Sequence, residues 1–401
     1  MTFPSNWVWT TLENTCEIIL GQSPPSDTYN TNGVGLPFYQ GKTEFGDLYP
    51  TTVKWCSKHN KLAKASDILI SVRAPVGPTN LCREESCIGR GLAAIRPRHG
   101  MPSKYFLYYL RSIENDWDSK ATGTTFKAIT GNILRRQAVP LAPLHEQERI
   151  VERIESLFTQ LDAGKVGLKR AQVVLKRYKA SVLKSAVDGT LLRKGNKPVS
   201  AGWANKKIGD LTDLVAGNAF KKEEYSDTGV RLLQIANVSF GKIIWEQKAF
   251  LPNNYLDKYS NLVLKPGDII MALNRPLLGG ELKIGIVQEH DLPAILYQRV
   301  GRFDFYDEDV KPYYYYYAQS VRFTDQLKNS LQGVDQPFIN KSKLMEFIVS
   351  IPPLAEQGRI VTEVERRLSI VQELEQTIKA NLKRAGRLRQ AILKRAFEGK
   401  L

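Results

Sequence analysis

The sequence predicts an α+β protein made by internal duplication. Two mostly antiparallel-β domains are each followed by a long α-helix, and the helices pack as an antiparallel coiled coil with pseudo-two-fold symmetry. Three observations predict this. First, "PLHEQERIV" at Pro143 returns as "PLAEQGRIV" at Pro353, and Pro143–Leu191 overlays Pro353–Leu401 without a gap, with 15 of 49 positions identical. Second, the preceding segments also repeat. Trp7, Leu12 and Gly21 parallel Trp203, Ile208 and Gly217 at one shift of 196, and "SDILISVRAPVG" (Ser66–Gly77) parallels "GDIIMALNRPLLG" (Gly267–Gly279). Third, steps of four and three from Ile150 and from Ile360 meet apolar residues at nine of ten and eight of ten positions. That is the seam of a coiled coil.

The elements follow in chain order. Residues 1–142 form the first domain, with β-type runs "DILISV" and "GLAAIRP" punctuated by Gly, Pro and Asn, and a helical pattern at Ser103–Ile113. The first long helix takes residues 143–191. Pro140 and Pro143 precede it, Glu146 complements its dipole, and Gly189 stands where a left-handed C-terminal cap belongs. Gly164 and Gly167 are the places where it could bend. A linker spans 192–199. The second domain, 200–352, carries the runs "VRLLQIANV", "DIIMAL" and "IGIVQ" and a helical pattern at Pro312–Leu331. The second long helix, 353–401, repeats the signals with Pro352/Pro353, Glu356 and Gly399, and puts Asn381 on its seam. About 45 residues at about 1.5 Å each make each helix roughly 65 Å long.

Composition narrows the function. Fifty-seven Lys and Arg against 41 Asp and Glu leave a net charge of +16, which points to a polyanion, either nucleic acid or an anionic membrane. No run of about 18 apolar residues exists, and the N-terminus lacks a signal-peptide pattern. Cys16, Cys56, Cys82 and Cys87 include no CxxC pair and read as free thiols in a reducing cytoplasm.

Catalytic motifs are missing. "GLPFYQGKT" (Gly35–Thr43) places five residues between its glycines where a P-loop has four. Asp268 with Glu281 and Lys283 imitates a metal-dependent nuclease, but the matching Asp67 has no E-x-K after it, so a structural strand motif is expected. Methyltransferase fingerprints, GxSxG and HExxH are absent.

Sequence readout of DNA needs Arg, Lys, Asn or Gln on exposed loops. In the first domain Gln22, Gln40, Lys42, Arg73, Arg90 and Lys127 qualify; in the second Asn218, Gln234, Asn237, Asn274, Arg275, Gln298 and Gln336 do. Arg73 matches Asn274/Arg275, and Lys127 falls near Gln336. Lys165–Lys184 and Gln376–Arg395 each hold seven cations and no acid. They read equally as solvated faces or as attraction to a DNA backbone. The run Tyr313–Tyr317 is read as a half-buried helix rather than a base-stacking platform.

With these motifs in view, the chain resembles the specificity subunit of Type I restriction–modification systems. "PLHEQERI" and "IPPLAEQGRI" open the two spacer helices, "LKSAVDGTL" and "LKRAFEGKL" close them, and "GDIIMAL" marks the second domain. The resemblance implies a non-catalytic DNA-binding subunit whose domains each read half of a split target. The helices would set the spacer and dock two methyltransferase subunits, through Leu144, Glu146, Gln147 and Arg149 and through Leu354, Glu356, Gln357 and Arg359. Two motor/nuclease subunits would complete the complex. S-adenosylmethionine, ATP and Mg are then expected on the partners and no cofactor on this chain. The departures are Gly358 in place of Glu148 and a second domain longer by 14 residues. The rival readings are a stand-alone DNA-binding protein and a single-chain nuclease or methyltransferase.

Overall fold

The computed structural model describes residues 4–122, 127–192 and 202–401. The chain divides into two compact units, Met1–Lys169 with Lys379–Leu401, and Arg170–Ile378. Of the predicted linker, 193–199 lies outside the described residues, as do 123–126 of the "GTTFKAI" repeat.

The first unit is built on a four-stranded antiparallel sheet. Its strands are β1 (Cys16–Leu20), β2 (Ile68–Ser71), β3 (Thr79–Leu81) and β4 (Leu92–Pro97), in the order β1-β4-β2-β3. Side chains alternate across a strand. Ile68 and Ile70 of β2 therefore enter one core with Tyr105 and Phe106, while Leu69 enters another with Tyr39 and Ile88. Burial on both faces explains why "DILIS" is continuously apolar. A second sheet of five short strands contains one parallel pairing, Phe38 opposite Cys87, and all four cysteines are buried and free.

The helix Ser103–Ser112 covers β2. Its Tyr105 and Tyr109 hydroxyls donate to Pro140 O (2.7 Å) and Ala138 O (2.5 Å). They hold the strand Ala138–Leu141, which pairs with Val8–Thr11 and runs straight into the first long helix, α1 (Leu144–Val187). In this unit Ile150, Ile154 and Phe158 of α1 share a core with Leu393, Ala396 and Phe397 of the second long helix, α2 (Leu354–Phe397). Because the start of α1 meets the end of α2, the pair is antiparallel. The Arg389 guanidinium lies 4.2 Å over the Phe158 ring and 3.5 Å from Asp162.

The second unit repeats the plan. Strands β5 (Thr212–Ala216), β6 (Ile269–Ala272), β7 (Ile284–Ile286) and β8 (Val300–Phe305) run in the order β5-β8-β6-β7, again antiparallel. Ile269 and Met271 face one core, Ile270 and Ala272 the other. Val182, Ala186 and Val187 of α1 pack in the first of these with Ile360 and Val364 of α2. Tyr313 and Tyr317 donate to Ser350 O (3.0 Å) and Ile348 O (2.9 Å), as Tyr105 and Tyr109 do in the first unit.

Four expectations change in detail. "VRLLQIANV" is a strand only at Val230–Leu233; Ile235–Asn237 is a 3₁₀ turn. The Pro312–Leu331 helix is two helices, Lys311–Ala318 and Val321–Lys328, broken where Ser320 caps the second. The tyrosine run is mostly buried rather than half-buried, with Tyr313, Tyr314, Tyr315 and Tyr317 all inside. On α2, Val364, Val371, Ile378 and Ala385 are buried, but Leu374, Leu388 and Asn381 are exposed. The contact of two helices is narrow, so one seam position per heptad faces inward and the next lies on the flank. Asn381 therefore lies on the exposed flank of the seam rather than inside it. Gly164 and Gly167 lie inside the unbroken α1, and Gly189 and Gly399 both close their helices at φ 68°.

Candidate nucleic-acid interface

In the first unit, backbone hydrogen bonds tie the loops carrying the candidates to one another. Gln22 N–H donates to Ile88 O (3.0 Å), and Arg90 N–H donates to Ser23 Oγ (3.2 Å). Gly89 N–H donates to Tyr39 O (2.8 Å), beside Gln40, and Val72 N–H donates to Gly91 O (2.9 Å), beside Arg73. Ala74 N–H donates to Lys127 O (3.1 Å), and Arg73 bridges to Ala128. The approach is close: a Cβ on Gly91 would lie 2.2 Å from Gln40 O, so only glycine fits. Gln22, Gln40, Arg73, Arg90 and Lys127 thus share one end of the sheet. Lys42 follows two residues after Gln40 and is exposed.

The second unit uses the same bonds. Tyr297 N–H donates to Leu233 O (3.1 Å), Asn218 N–H to Leu296 O (3.4 Å), and Leu273 N–H to Arg299 O (2.8 Å). Arg275 N–H donates to Pro337 O (2.6 Å), and Asn274 bridges to Phe338. This register makes Asn218 the counterpart of Gln22, Gln234 of Gln40, Asn274 of Arg73 and Gln298 of Arg90. Gln336 adjoins Pro337, the counterpart of Lys127. A Cβ on Gly217 would fall 2.3 Å from Tyr297 O.

The electrostatics follow from which cations are committed. Arg73 and Arg90 are exposed, and among the described residues no acid pairs with either. Lys127 is held by Asp118. In the second unit the Gln234 and Gln298 amides donate to the Tyr225 and Tyr297 hydroxyls, both at 3.3 Å. Burial, reinforced by the Arg275 charge, lowers the Lys283 pKa. Lys283 donates to Ile235 O (3.2 Å).

Several expected roles are corrected. Asn237 is 1% exposed. Its Oδ1 accepts from Gln234 N (2.9 Å), and its Nδ2 donates to Ile244 O (3.0 Å) and Gln247 O (2.8 Å). It is a structural turn residue, not an exposed reader. Gln147 and Gln357 are likewise buried, donating to Ala142 O (2.8 Å) and Pro352 O (2.9 Å), and so present no docking surface. Leu144, Leu354, Arg149 and Arg359 are exposed around them. Glu146 accepts from Asn6 Nδ2 (2.9 Å) and Glu356 from Trp203 Nε1 (3.2 Å), so each clamps its helix start to the domain's first residues. Asp67 and Asp268 cap matching turns, accepting from Lys64 N (2.7 Å) and Lys265 N (2.8 Å); Glu281 pairs with Lys176. Arg299 was not among the sequence candidates. Only its place after Gln298, the counterpart of Arg90, could have pointed to it.

Two matched loop clusters bearing Arg, Asn and Gln, carried on repeated domains that each lead into a long helix, define a class of duplicated protein built twice on one plan. The Type I restriction modification DNA specificity domain model matches residues 4–169 and 200–384. The MjaVIII specificity subunit of a Type I restriction enzyme from Methanocaldococcus jannaschii is 38% identical over 293 residues, 71% of this chain and 68% of that protein. The EcoBI specificity subunit from Escherichia coli is 22% identical across 100% of this chain and 87% of its own. The fold is that of the HsdS subunit from Thermoanaerobacter tengcongensis, with a TM-score of 0.62, 20% identity and coverage of 100% of this chain and 99% of that one. The chain belongs to the family of Type I restriction–modification specificity subunits, the non-catalytic DNA-recognition subunits of those systems.

Proposed function

We propose that each unit reads one half of a split duplex-DNA target, that α1 and α2 set the unspecified gap, and that the helix starts dock methyltransferase subunits. The observation that carries this is the matched pair of loop clusters, in which the same backbone bonds gather Gln22, Gln40, Arg73 and Arg90 in one unit and Asn218, Gln234, Asn274 and Gln298 in the other. Duplicated readers on a common scaffold suit a target with two half-sites at fixed spacing. The exposed Leu144 with Arg149, and Leu354 with Arg359, offer two equivalent docking surfaces. Two methyltransferase subunits would bring S-adenosylmethionine, and two restriction/motor subunits would bring ATP and Mg. This chain holds no cofactor in that scheme and works in the cytoplasm.

The test is co-expression of the chain with its methyltransferase partner, followed by methylation-sensitive sequencing of the host DNA. The expected result is one split motif with a constant gap. Absence of a complex, or methylation at a continuous motif, would overturn the reading.

A further inference from the structure

We propose that Arg299 is the central base-reading residue of the second unit, taking the O6 and N7 acceptors of a guanine through its guanidinium. The assignment rests on the reading of that unit as a DNA-recognition domain.

The first observation is conformational. Arg299 has φ 68°, in the left-handed region that favours glycine. It occupies the third position of the turn Tyr297–Val300, closed by Val300 N–H donating to Tyr297 O (3.3 Å). The same position in the first unit is Gly91, in the turn closed by Leu92 N–H and Gly89 O (3.0 Å); it has no positive φ and is glycine because a Cβ would lie 2.2 Å from Gln40 O. A glycine would be the relaxed choice for a turn with positive φ there, yet this chain carries a long cationic side chain.

The second observation is how the turn is held. Tyr297 N–H donates to Leu233 O, Gln298 N–H to Asn218 O (2.8 Å), Leu273 N–H to Arg299 O, and Gly217 N–H to Val300 O (3.2 Å). Every residue of the turn is therefore clamped by a neighbouring loop, Tyr297 by that at 233, Gln298 and Val300 by that at 217–218, and Arg299 by that at 273. Those loops are the ones that carry Asn218, Gln234 and Asn274. Strained backbone persists only where its surroundings over-determine it, and it clusters at functional sites.

The third observation is that the side chain is unspent. Arg299 is exposed, and among the described residues its guanidinium has no hydrogen-bond or ion-pair partner. Binding energy concentrates in residues at the centre of an interface, and Arg299 stands at the centre of this loop cluster. A phosphate contact could be supplied by any flexible surface lysine and needs no such placement. Bidentate recognition of guanine needs a planar fork held at a fixed height and angle. Arg275, at φ 47° on the adjoining loop, is the flanking cation.

The experiment uses the full chain in complex with its methyltransferase partner. R299G and R299K are compared with wild type on duplexes carrying each single base-pair change in the half-site read by the second unit. Both variants should lose roughly 5- to 150-fold discrimination at one G·C pair and keep it at the others. The thermal midpoint of R299G should equal or exceed that of wild type, because glycine relaxes the turn. Unchanged discrimination in R299G overturns the assignment. So does a uniform loss of affinity in R299G with full discrimination in R299K, which would mark a phosphate contact. A lowered midpoint in R299G would mark a structural role and overturn it too. A wild-type complex with no preference for a split target would bring down the recognition reading itself, whereas a specific wild type with an unchanged R299G sinks only Arg299.

Discussion

The two loop clusters share a backbone and differ in side-chain chemistry. In the first unit, guanidinium groups stand at Arg73 and Arg90; in the second, the same positions hold carboxamides, Asn274 and Gln298, and arginines come one residue later, at Arg275 and Arg299. The backbone bonds that fix these positions are nearly superposable in pattern, from Val72 to Gly91 and from Leu273 to Arg299. On the proposed reading, the scaffold would decide where readers sit and the side chains what they can read. Arg suits guanine and Asn or Gln suits adenine, so the two halves of a target need not resemble each other even though the domains do.

The comparison extends to the cores, where the largest effects are expected. Phe397 of α2 packs edge-on against Tyr105 (5.2 Å) and Tyr109 (5.3 Å) in the first unit, and the repeat puts the smaller Val187 there in the second. Phe397→Ala should cost about 3–5 kcal/mol, and Val187→Ala about 2 kcal/mol. Hydrogen exchange should show lost protection in the strands of the affected unit only. Equal losses in both units would contradict the separate cores.

The next effect separates a structural residue from a proposed reader three residues before it. Asn237→Ala leaves buried partners unsatisfied and should destabilise the chain by about 1–3 kcal/mol, while sequence preference in DNA binding stays unchanged. Gln234→Ala should do the reverse. A shift in base preference in the first variant would restore Asn237 as a reader.

The most local effect tests the side-chain exchange directly. Arg90→Gln should remove about 1–3 kcal/mol of discrimination at one base pair of the first half-site, without moving the unfolding midpoint. Gln298→Arg should alter preference at the corresponding place in the second half-site. If competition binding shows neither change, the clusters are not equivalent in use.

Much of this architecture was legible in the residues. The repeated "PL.EQ.RIV" starts, the glycine caps and the apolar runs of β2 and β6 come from local chemistry: helix-end hydrogen bonding, positive φ, and burial on both faces of a strand. The long helices and the duplication need nothing else. What the tertiary structure decided is which polar residue does what. Asn237, Gln147 and Gln357 look like surface amides in the sequence, but each is folded inward onto the carbonyls of its own turn, Gln247, Ala142 and Pro352, and covered by the packing around it. Arg299 looks like an ordinary charge after Gln298. It becomes the centre of a site only because loops from residues 217–218, 233 and 273 converge on its turn. Such convergence depends on contacts between residues far apart in sequence, and no local pattern encodes it.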